Sequence, residues 1–336
     1  MTRLLFVHNR LTSFVRFDLD SLREHFEVTE RPLVFRAFNP LKLWREVSEH
    51  DLVFGWFASW HTFLPLLWAR IQRKPSILVV GGYDVANLPE IGYGNQRGGI
   101  RSWVSRLAMH SASTLVTNSH YSQNEVVANA GIARKKLEVV HHGLMDPFGQ
   151  LPGARRERTV LTVGNVNRSN LQRKGLKPFV LSAGLIPDAR FAVVGAWQDR
   201  AIDELKAIAS PNVRFFGHVS DEGLHAHYRE ASVYVQASMH EGFGLSMAEA
   251  MLAGCIPVVT RAGSLPEVVG QCGVFCECLD PGSIAEAIRR AFEVQENGRA
   301  QARERILVCF PPEKRREALR RIVSRLSCAE TGLGQK

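Results

Sequence analysis

Short apolar runs, each bounded by turn formers, alternate with stretches of helical period along nearly the whole 336-residue chain. In the first half the runs at 4–8, 52–56, 77–81, 114–117 and 137–140 predict strands, and helices are expected at 41–48, 64–71, 100–110 and 122–130. The pattern restarts in the second half with strands at 159–163, 190–194, 213–216, 233–236 and 256–259, and a helix after each of the first four. Strands that are apolar at every position, alternating with helices, imply parallel sheets covered on both faces. The expected fold is therefore α/β, with two doubly wound Rossmann-like domains. Residues 145–153 (MDPFGQLPG) are rich in turn formers and lack a period, which makes them the best linker. The predicted domains are 1–150 and 151–310, followed by a C-terminal segment, 311–336, whose helix starts after Pro311-Pro312 and returns to the first domain. Open α/β sheets bind ligands beyond the carboxyl ends of their strands, so two such domains would face each other across a cleft.

Composition adds few constraints to this picture. Hydrophobic residues at 45% and charged residues at 22% are ordinary for a globular protein. The N-terminal apolar run is too short for a signal peptide, and the greasiest stretch, 54–69, holds His61 and Pro65 and falls short of a spanning helix. The expectation is a cytoplasmic protein, at most peripheral on a membrane. The net charge of +9 is spread over both halves, with a dense spot at Lys314, Arg315, Arg316, Arg320, Arg321 and Arg325. That spot suits phosphates or an anionic membrane, or else is a solvated helix face. No helix-turn-helix, finger or RNA-binding signature accompanies the charge, so no nucleic-acid partner is expected. The six cysteines, all in the second half, match no common metal spacing. Cys276 and Cys278 read as one face of a strand, and buried reduced thiols are expected.

The chemistry concentrates after the strand at 233–236, where Glu241-Gly242-Phe243-Gly244 leads into a helix from Leu245 and Ser246 to about 253. The glycines allow a ligand close to the backbone, and the N–H groups opening the helix have no internal partner. Those donors and the helix dipole suit the phosphates of a nucleotide diphosphate. Glu249, a little over one turn in, is placed to accept two hydrogen bonds from a ribose diol. Glu241 stands nearer to whatever the phosphate carries. The alternative is an exposed helix acid and a first-turn acid.

Residues 163–284 resemble the donor-binding half of retaining GT-B glycosyltransferases (glycosyl transferases group 1). The matching pieces are VGNVNRSNLQRKGL, FAVVGAW, VRFFGHVSDEGLHAHYREASVYVQAS, HEGFGLSMAEAMLAGCIPVV and GSLPEVVG, in the family's order. Glu241 and Glu249, separated by seven residues, meet the family's paired-glutamate signature. In the first half, LVTNSHYSQNEVVANAGI and LEVVHHGL resemble more loosely the strand, helix and turn that close the family's acceptor domain. The resemblance implies transfer of a hexose from a UDP- or GDP-sugar to a saccharide or lipid-linked acceptor, with retention, in polysaccharide or cell-envelope synthesis. Glu241 would orient the donor sugar and Glu249 would hold the ribose. An arginine–lysine pair in the loop after the strand at 159–163, beside Gly164, would stabilise the diphosphate. Lys174 is the match for the lysine; Arg168 is chosen as its partner, with Arg173 able to exchange roles with it. Val219 falls in the segment whose backbone holds the base. No cofactor and no metal are expected, because no carboxylate pair of the kind that holds manganese is evident.

The acceptor side departs from the family. Many relatives carry a histidine at the end of an acceptor-domain strand, where this chain has Gly81-Gly82-Tyr83-Asp84. Asp84 is then the nearest polar group for a sugar hydroxyl, the alternative being a buried turn-forming aspartate. The glycine-rich acceptor loop is replaced by Asn9–Arg16 as a loop, offering Ser13, Phe14 and Arg16. His8, His61, His120, His141 and His142 are looser candidates. Rival readings are a nucleotide-sugar epimerase or hydrolase of the same fold, a catalytically weak donor-binding subunit, and, remotely, a basic nucleic-acid-binding protein.

Overall fold

The computed structural model describes residues 1–33, 39–150, 157–294 and 296–331. They divide into two compact units: Met1–Gly143 with Pro312–Lys336, and Leu144–Pro311. Unit 1 begins β1 (Arg3–His8), α1 (Ser13–Arg23), β2 (Glu27–Pro32), α2 (Pro40–Glu49), β3 (Leu52–Trp56) and α3 (Trp60–Ile71). It continues β4 (Ser76–Val80), α4 (Gly99–Ser111), β5 (Thr114–Thr117), α5 (His120–Ala130) and β6 (Leu137–Val139). These six strands form one sheet in the order β2-β1-β3-β4-β5-β6, and every adjacent pair is parallel.

Strand periodicity explains why this sheet is apolar throughout. Leu5, Val7, Val53, Leu78 and Leu115 pack under α2–α5, while Leu4, Phe6, Phe54, Ile77 and Val116 join the core on the other face. Consecutive side chains point to opposite faces, so a sheet covered by helices on both sides needs apolar residues at both parities.

Unit 2 contains β7 (Thr159–Val163), α6 (Arg168–Arg173), α7 (Leu176–Ser182), β8 (Arg190–Val194), α8 (Ala201–Ile208), β9 (Val213–Gly217) and α9 (Asp221–Glu230). It is completed by β10 (Val233–Gln236), α10 (Leu245–Leu252), β11 (Ile256–Val259), α11 (Leu265–Val269), β12 (Val274–Phe275), α12 (Pro281–Glu293) and α13 (Glu296–Cys309). Its sheet runs β12-β11-β10-β7-β8-β9, again parallel, with separate cores on its two faces.

The last helix, α14 (Pro312–Thr331), belongs to unit 1. Leu319, Ile322 and Val323 fill the core beside Leu19 and Leu22 of α1. Arg315, counted from sequence among the surface cations, is 1% exposed and makes two bonds to Asp18, at 2.6 and 2.7 Å. Arg320 pairs with Glu317, and Arg325 with Glu138. The dense basic spot is thus largely neutralised where it stands.

The division between the units falls at Gly143/Leu144, ahead of the stretch read as a linker. Leu144 is buried in the unit 2 core, and Asp146 is ion-paired to Arg303 of α13. Residues 151–153 of that stretch lie outside the described residues. All six cysteines are thiols, as expected, and Cys255 and Cys276 are buried, but Cys278 and Cys328 are exposed, Cys278 because β12 ends at Phe275. Among the described residues no helix is long and apolar enough to cross a membrane.

Candidate functional site

In unit 2 the chain moves outward from β7 to β9 and then returns to β10 on the opposite side of β7. The crevice between β7 and β10 is the point where strand order reverses, the position at which open α/β sheets hold ligands. The loops leaving these two strands carry the residues singled out from sequence. After β7, Gly164 leads to α6, which ends at Arg173 and Lys174; after β10 come Ala237–His240, Glu241 and the start of α10.

Glu241 is the meeting point of these loops. Its Oε1 accepts hydrogen bonds from Gln236 Nε2 at 2.7 Å and Ser238 Oγ at 3.0 Å. Lys174 Nζ lies 3.5 Å and Arg173 Nη1 3.6 Å from the same oxygen. Burial alone would raise the Glu241 pKa, but Lys174, Arg173 and the Ser238 bond outweigh it and hold the carboxyl below its ordinary value. The backbone of Glu241 is fixed as well. Its carbonyl accepts from Ser264 N at 3.0 Å and Ser264 Oγ at 3.1 Å. A side chain at Gly263 (φ +62°) would stand 2.4 Å from Glu241 O.

Arg173 is 8% exposed, grips Asn170 Oδ1 with Nε and Nη2, and donates to the His240 carbonyl at 3.2 Å. The segment called a loop from sequence is therefore helix α6, capped by Asn167. Its first residue, Arg168, points elsewhere: the side chain is 76% exposed and paired to Glu204 of α8 at 2.6 Å. The two arginines stand at opposite ends of α6, and the one that shares Glu241 with Lys174 is Arg173, the residue able to exchange roles with Arg168.

Gly244 (φ +88°) caps α10 in the left-handed region with no side-chain cap, so the first N–H groups of the helix, from Leu245 and Ser246 on, have no intrahelical acceptor. Phe243 is 3% exposed and packs edge-on to Phe310, which fixes the turn between Gly242 and Gly244. Glu249 lies in α10, and its Oε2 accepts a bond from Tyr228 OH at 3.0 Å. Burial raises the Glu249 pKa to about 7 against the lowering effect of that bond. Val219 lies between β9 and α9, half-buried against the same core face as Tyr228. Sequence reasoning missed Gln236, Ser238 and Tyr228; a glutamine ending the otherwise apolar run VYVQ was the available signal.

In unit 1 the order reverses between β1 and β3. A cavity of about 560 Å³ opens there, lined by Asn9 after β1, by Phe57, Ser59, Trp60 and His61 after β3, by Tyr83, Asp84 and Asn95 after β4, and by Ile100, Arg101 and Val104 of α4. Asp84 is 3% exposed, and its two oxygens accept from Ala58 N at 3.0 Å and Gly81 N at 3.1 Å. Burial pushes its pKa up to about 6 against those bonds. The turn-forming alternative is the one observed: Asp84 ties the β3 and β4 loops together. Gly81 (φ +151°) has no room for a side chain, because a Cβ would sit 2.3 Å from Asn118 Oδ1. Gly82 (φ +114°) faces open space. The loop expected across Asn9–Arg16 becomes helix from Ser13. Ser13 and Arg16 are exposed on it, whereas Phe14 packs with Trp56 and His142 at ring distances of 5.2 and 5.4 Å. Of that stretch only Asn9 lines the cavity.

Two parallel six-stranded sheets with helices, each with its crevice at a strand-order reversal, define the GT-B fold. The chain is similar over 98% of its length to all of the sucrose-phosphate synthase from Thermosynechococcus elongatus (TM-score 0.76, 16% identity). It is similar over 96% to all of Anabaena HepE, crystallised with UDP and glucose (TM-score 0.73, 17% identity). Residues 157–293 match the family Glycosyl transferases group 1. A 99-residue stretch is 34% identical to the O-antigen chain mannosyltransferase B of Escherichia coli, covering 29% of this chain and 26% of that one. Glycogen synthase from Mycobacterium tuberculosis is 27% identical over 311 residues, 83% of this chain and 74% of that one. The chain spans about a quarter of the mannosyltransferase and 53% of a 41.2 kDa protein from the cps region of Klebsiella pneumoniae.

Proposed function

We propose that this chain is a retaining glycosyltransferase that takes a hexose from a UDP- or GDP-sugar and passes it to a saccharide or lipid-linked acceptor. The observation that carries the reading is the meeting of Lys174, Arg173 and Glu241 at the β7/β10 crevice, beside the open N-terminus of α10. In the reaction the bond from the sugar's anomeric carbon to the diphosphate oxygen breaks, and its electrons stay on that oxygen. The acceptor oxygen bonds to the anomeric carbon from the same face, and its proton passes to the departing phosphate oxygen. Lys174 and Arg173 stabilise the charge that grows on the diphosphate, aided by the first N–H groups of α10. Glu241, kept anionic by those same cations, accepts bonds from donor-sugar hydroxyls and sets the sugar's orientation. Glu249 in its ionised form accepts the ribose diol. Two cations in place supply the charge that a metal ion supplies elsewhere, so turnover is expected to survive chelation by EDTA.

Nucleotide release from UDP- and GDP-sugars, with and without acceptor, tests this reading. Release that requires acceptor, with product of the donor's anomeric configuration, supports it. Full turnover without acceptor would instead mark an epimerase or hydrolase.

A peripheral membrane location is favoured by one surface. The packed helices α2, α3 and α4 expose Leu41 (78%), Trp44 (38%), Ile71 (58%) and Trp103 (56%) among Lys42, Arg45, Arg70 and Arg73. Aromatic and basic side chains interleaved in this way suit an anionic lipid surface. Flotation with anionic but not neutral liposomes is the expected outcome, and the effect should be lost in Trp44→Glu/Trp103→Glu.

A further inference from the structure

We propose that unit 2 carries a second ligand site, a groove on the β8/β9 side of its sheet that holds a neutral saccharide. Its use, to hold a glycan chain while a sugar is added, rests on the transferase reading; its affinity for the saccharide does not.

The groove follows from how this sheet is covered. Leu161 of β7 and Ala192 of β8 face the core that α9 and α10 close. Helix α9 packs on β7 and α10, with Tyr228 and Ala231 in that core, and Arg214 and Phe216 of the edge strand β9 stay exposed beside it. A cavity of about 420 Å³ results, within the range for small-molecule sites, roughly 300–1,000 Å³. Ala192 pairs with Leu161 on one side and Arg214 on the other, and its short side chain keeps the floor low. Thr159 and Arg190 at one end are the first residues of β7 and β8, whereas Gly164 and the crevice follow the far end of β7. Four residues of strand, about 13 Å, separate the two sites. Phe216 is aimed into the groove by a bulge: Val193 pairs with Phe215 and Val194 with Gly217, which makes Phe216 an extra residue in β9. Phe191 and Phe215 pack toward the opposite core, while Phe216, 41% exposed, meets His227 of α9 at a ring distance of 4.3 Å.

The polar lining mixes donors and acceptors in equal number. Arg190 pairs with Glu157 at the rim. Arg214 and Glu230, the other two charged groups, make no ion pair or side-chain hydrogen bond among the described residues. The two guanidinium groups only donate, the two carboxylates only accept, and the Thr159 hydroxyl does both. With His227 neutral the charges cancel, so a phosphate gains as much repulsion as attraction. A sugar hydroxyl donates and accepts at once, and neighbouring hydroxyls can meet a guanidinium and a carboxylate together. The C–H face of a pyranose packs on an open phenyl ring such as Phe216. His227 is tilted 58° to that ring, so the pair offers one open aromatic face and no parallel slot for a flat base.

The test is isothermal titration calorimetry on the full chain with maltotriose, cellotriose, α-1,2-mannotriose and chitotriose, and with adenosine, guanosine and inorganic phosphate as contrasts. At least one trisaccharide should bind, and the contrasts should not displace it. Phe216→Ala and Arg214→Ala should each weaken that binding about tenfold. Both positions are exposed, so the melting temperature should stay near that of the parent. The double variant should lose this class of sites, whereas Tyr83→Ala in unit 1 and Glu249→Ala at the crevice should keep it. The proposal is overturned if no trisaccharide binds, or if the number and affinity of sites are the same in the double variant. It is equally overturned if a nucleoside or phosphate, and no trisaccharide, is the ligand lost from that variant. Thermal-shift titration with UDP- and GDP-glucose reads the donor site separately and should be unchanged by the double substitution. A trisaccharide site without any nucleotide-sugar shift would keep the groove and remove the transferase reading; the opposite result would do the reverse.

Discussion

Lys174 reaches Glu241 by lying across Gly164: Nζ stands 3.5 Å from Glu241 Oε1, and a Cβ on Gly164 would meet Lys174 Cδ at 2.8 Å. The glycine after β7 and the lysine after α6 are thus one device, a backbone flat enough for a cation to cross the crevice. Lys174→Ala and Arg173→Ala should each lower kcat by about 10²–10³-fold, the usual loss when one preorganised stabiliser of developing charge is removed. Gly164→Ala should also lower kcat, by displacing the lysine rather than deleting it. Arg168→Ala breaks only an exposed pair with Glu204 and should stay within about twofold of the parent rate. Initial rates of nucleotide release would separate the arginines. An equal loss in Arg168→Ala would mean that the α6 geometry rearranges on donor binding.

Glu249 makes donor affinity depend on pH. Burial raises its pKa to about 7, and only the ionised form accepts two bonds from a ribose diol. Donor binding should therefore release a proton below pH 7. The dissociation constant should rise by about tenfold per unit of acidification there and flatten above it. Stability runs the other way. A carboxyl whose folded pKa is raised contributes fully below the ordinary carboxylate range, and that contribution is lost as pH rises through about 7. Titrations between about pH 5.5 and 8.5 would show both trends. Glu249→Gln should bind donor weakly with no pH dependence; a retained slope would assign the proton to another group.

Most of the strands were legible because a parallel sheet covered on both faces demands apolar residues at consecutive positions, as in LLFVH, LVFGW and ILVV. Strand β2, EVTERP, was not. It is an edge strand paired on one side, so its polar residues stay exposed or half-exposed and leave no apolar run. Glu241 and Glu249 stood out as two acids around a glycine-bracketed helix start, and Lys174 through the resemblance of its loop. The choice between Arg168 and Arg173 was not legible, because it depends on α6 turning one arginine toward His240 and the other toward α8.

Gly81 shows why a histidine is not accommodated at this place. Its φ of +151° disfavours any side chain, and Asn118 Oδ1 occupies the point to which a Cβ would project, 2.3 Å away. Asn118 in turn lies 3.2 Å from His142 Nε2 through its amide nitrogen. Gly81→His and Gly81→Ala should both destabilise unit 1, by roughly 1–3 kcal/mol from strain alone, and neither should raise turnover. Asn118→Gly should partly restore the melting temperature of Gly81→Ala by opening the space. Failure of that rescue in thermal melts would locate the cost in backbone strain instead.

The pair Asp18–Arg315 fastens the last helix to unit 1. Both side chains are at most 1% exposed, and Arg315 Nη1 also donates to the Val140 carbonyl at 2.7 Å, so three elements meet at one guanidinium. Removing one partner leaves a buried charge without compensation, which costs more than the pair itself contributes. Arg315→Ala or Asp18→Ala should therefore destabilise the protein by about 3–5 kcal/mol. Because α14 carries Leu319, Ile322 and Val323 into the core, the same change should expose this helix to proteolysis first. Replacing both residues with apolar side chains, Asp18→Leu with Arg315→Met, should cost much less than either single alanine, since no charge is then stranded. A double-mutant cycle in urea reads the coupling directly. If the double replacement is as unstable as the single ones, the guanidinium's bonds to the Val140 and His141 carbonyls, rather than the ion pair, hold α14 in place.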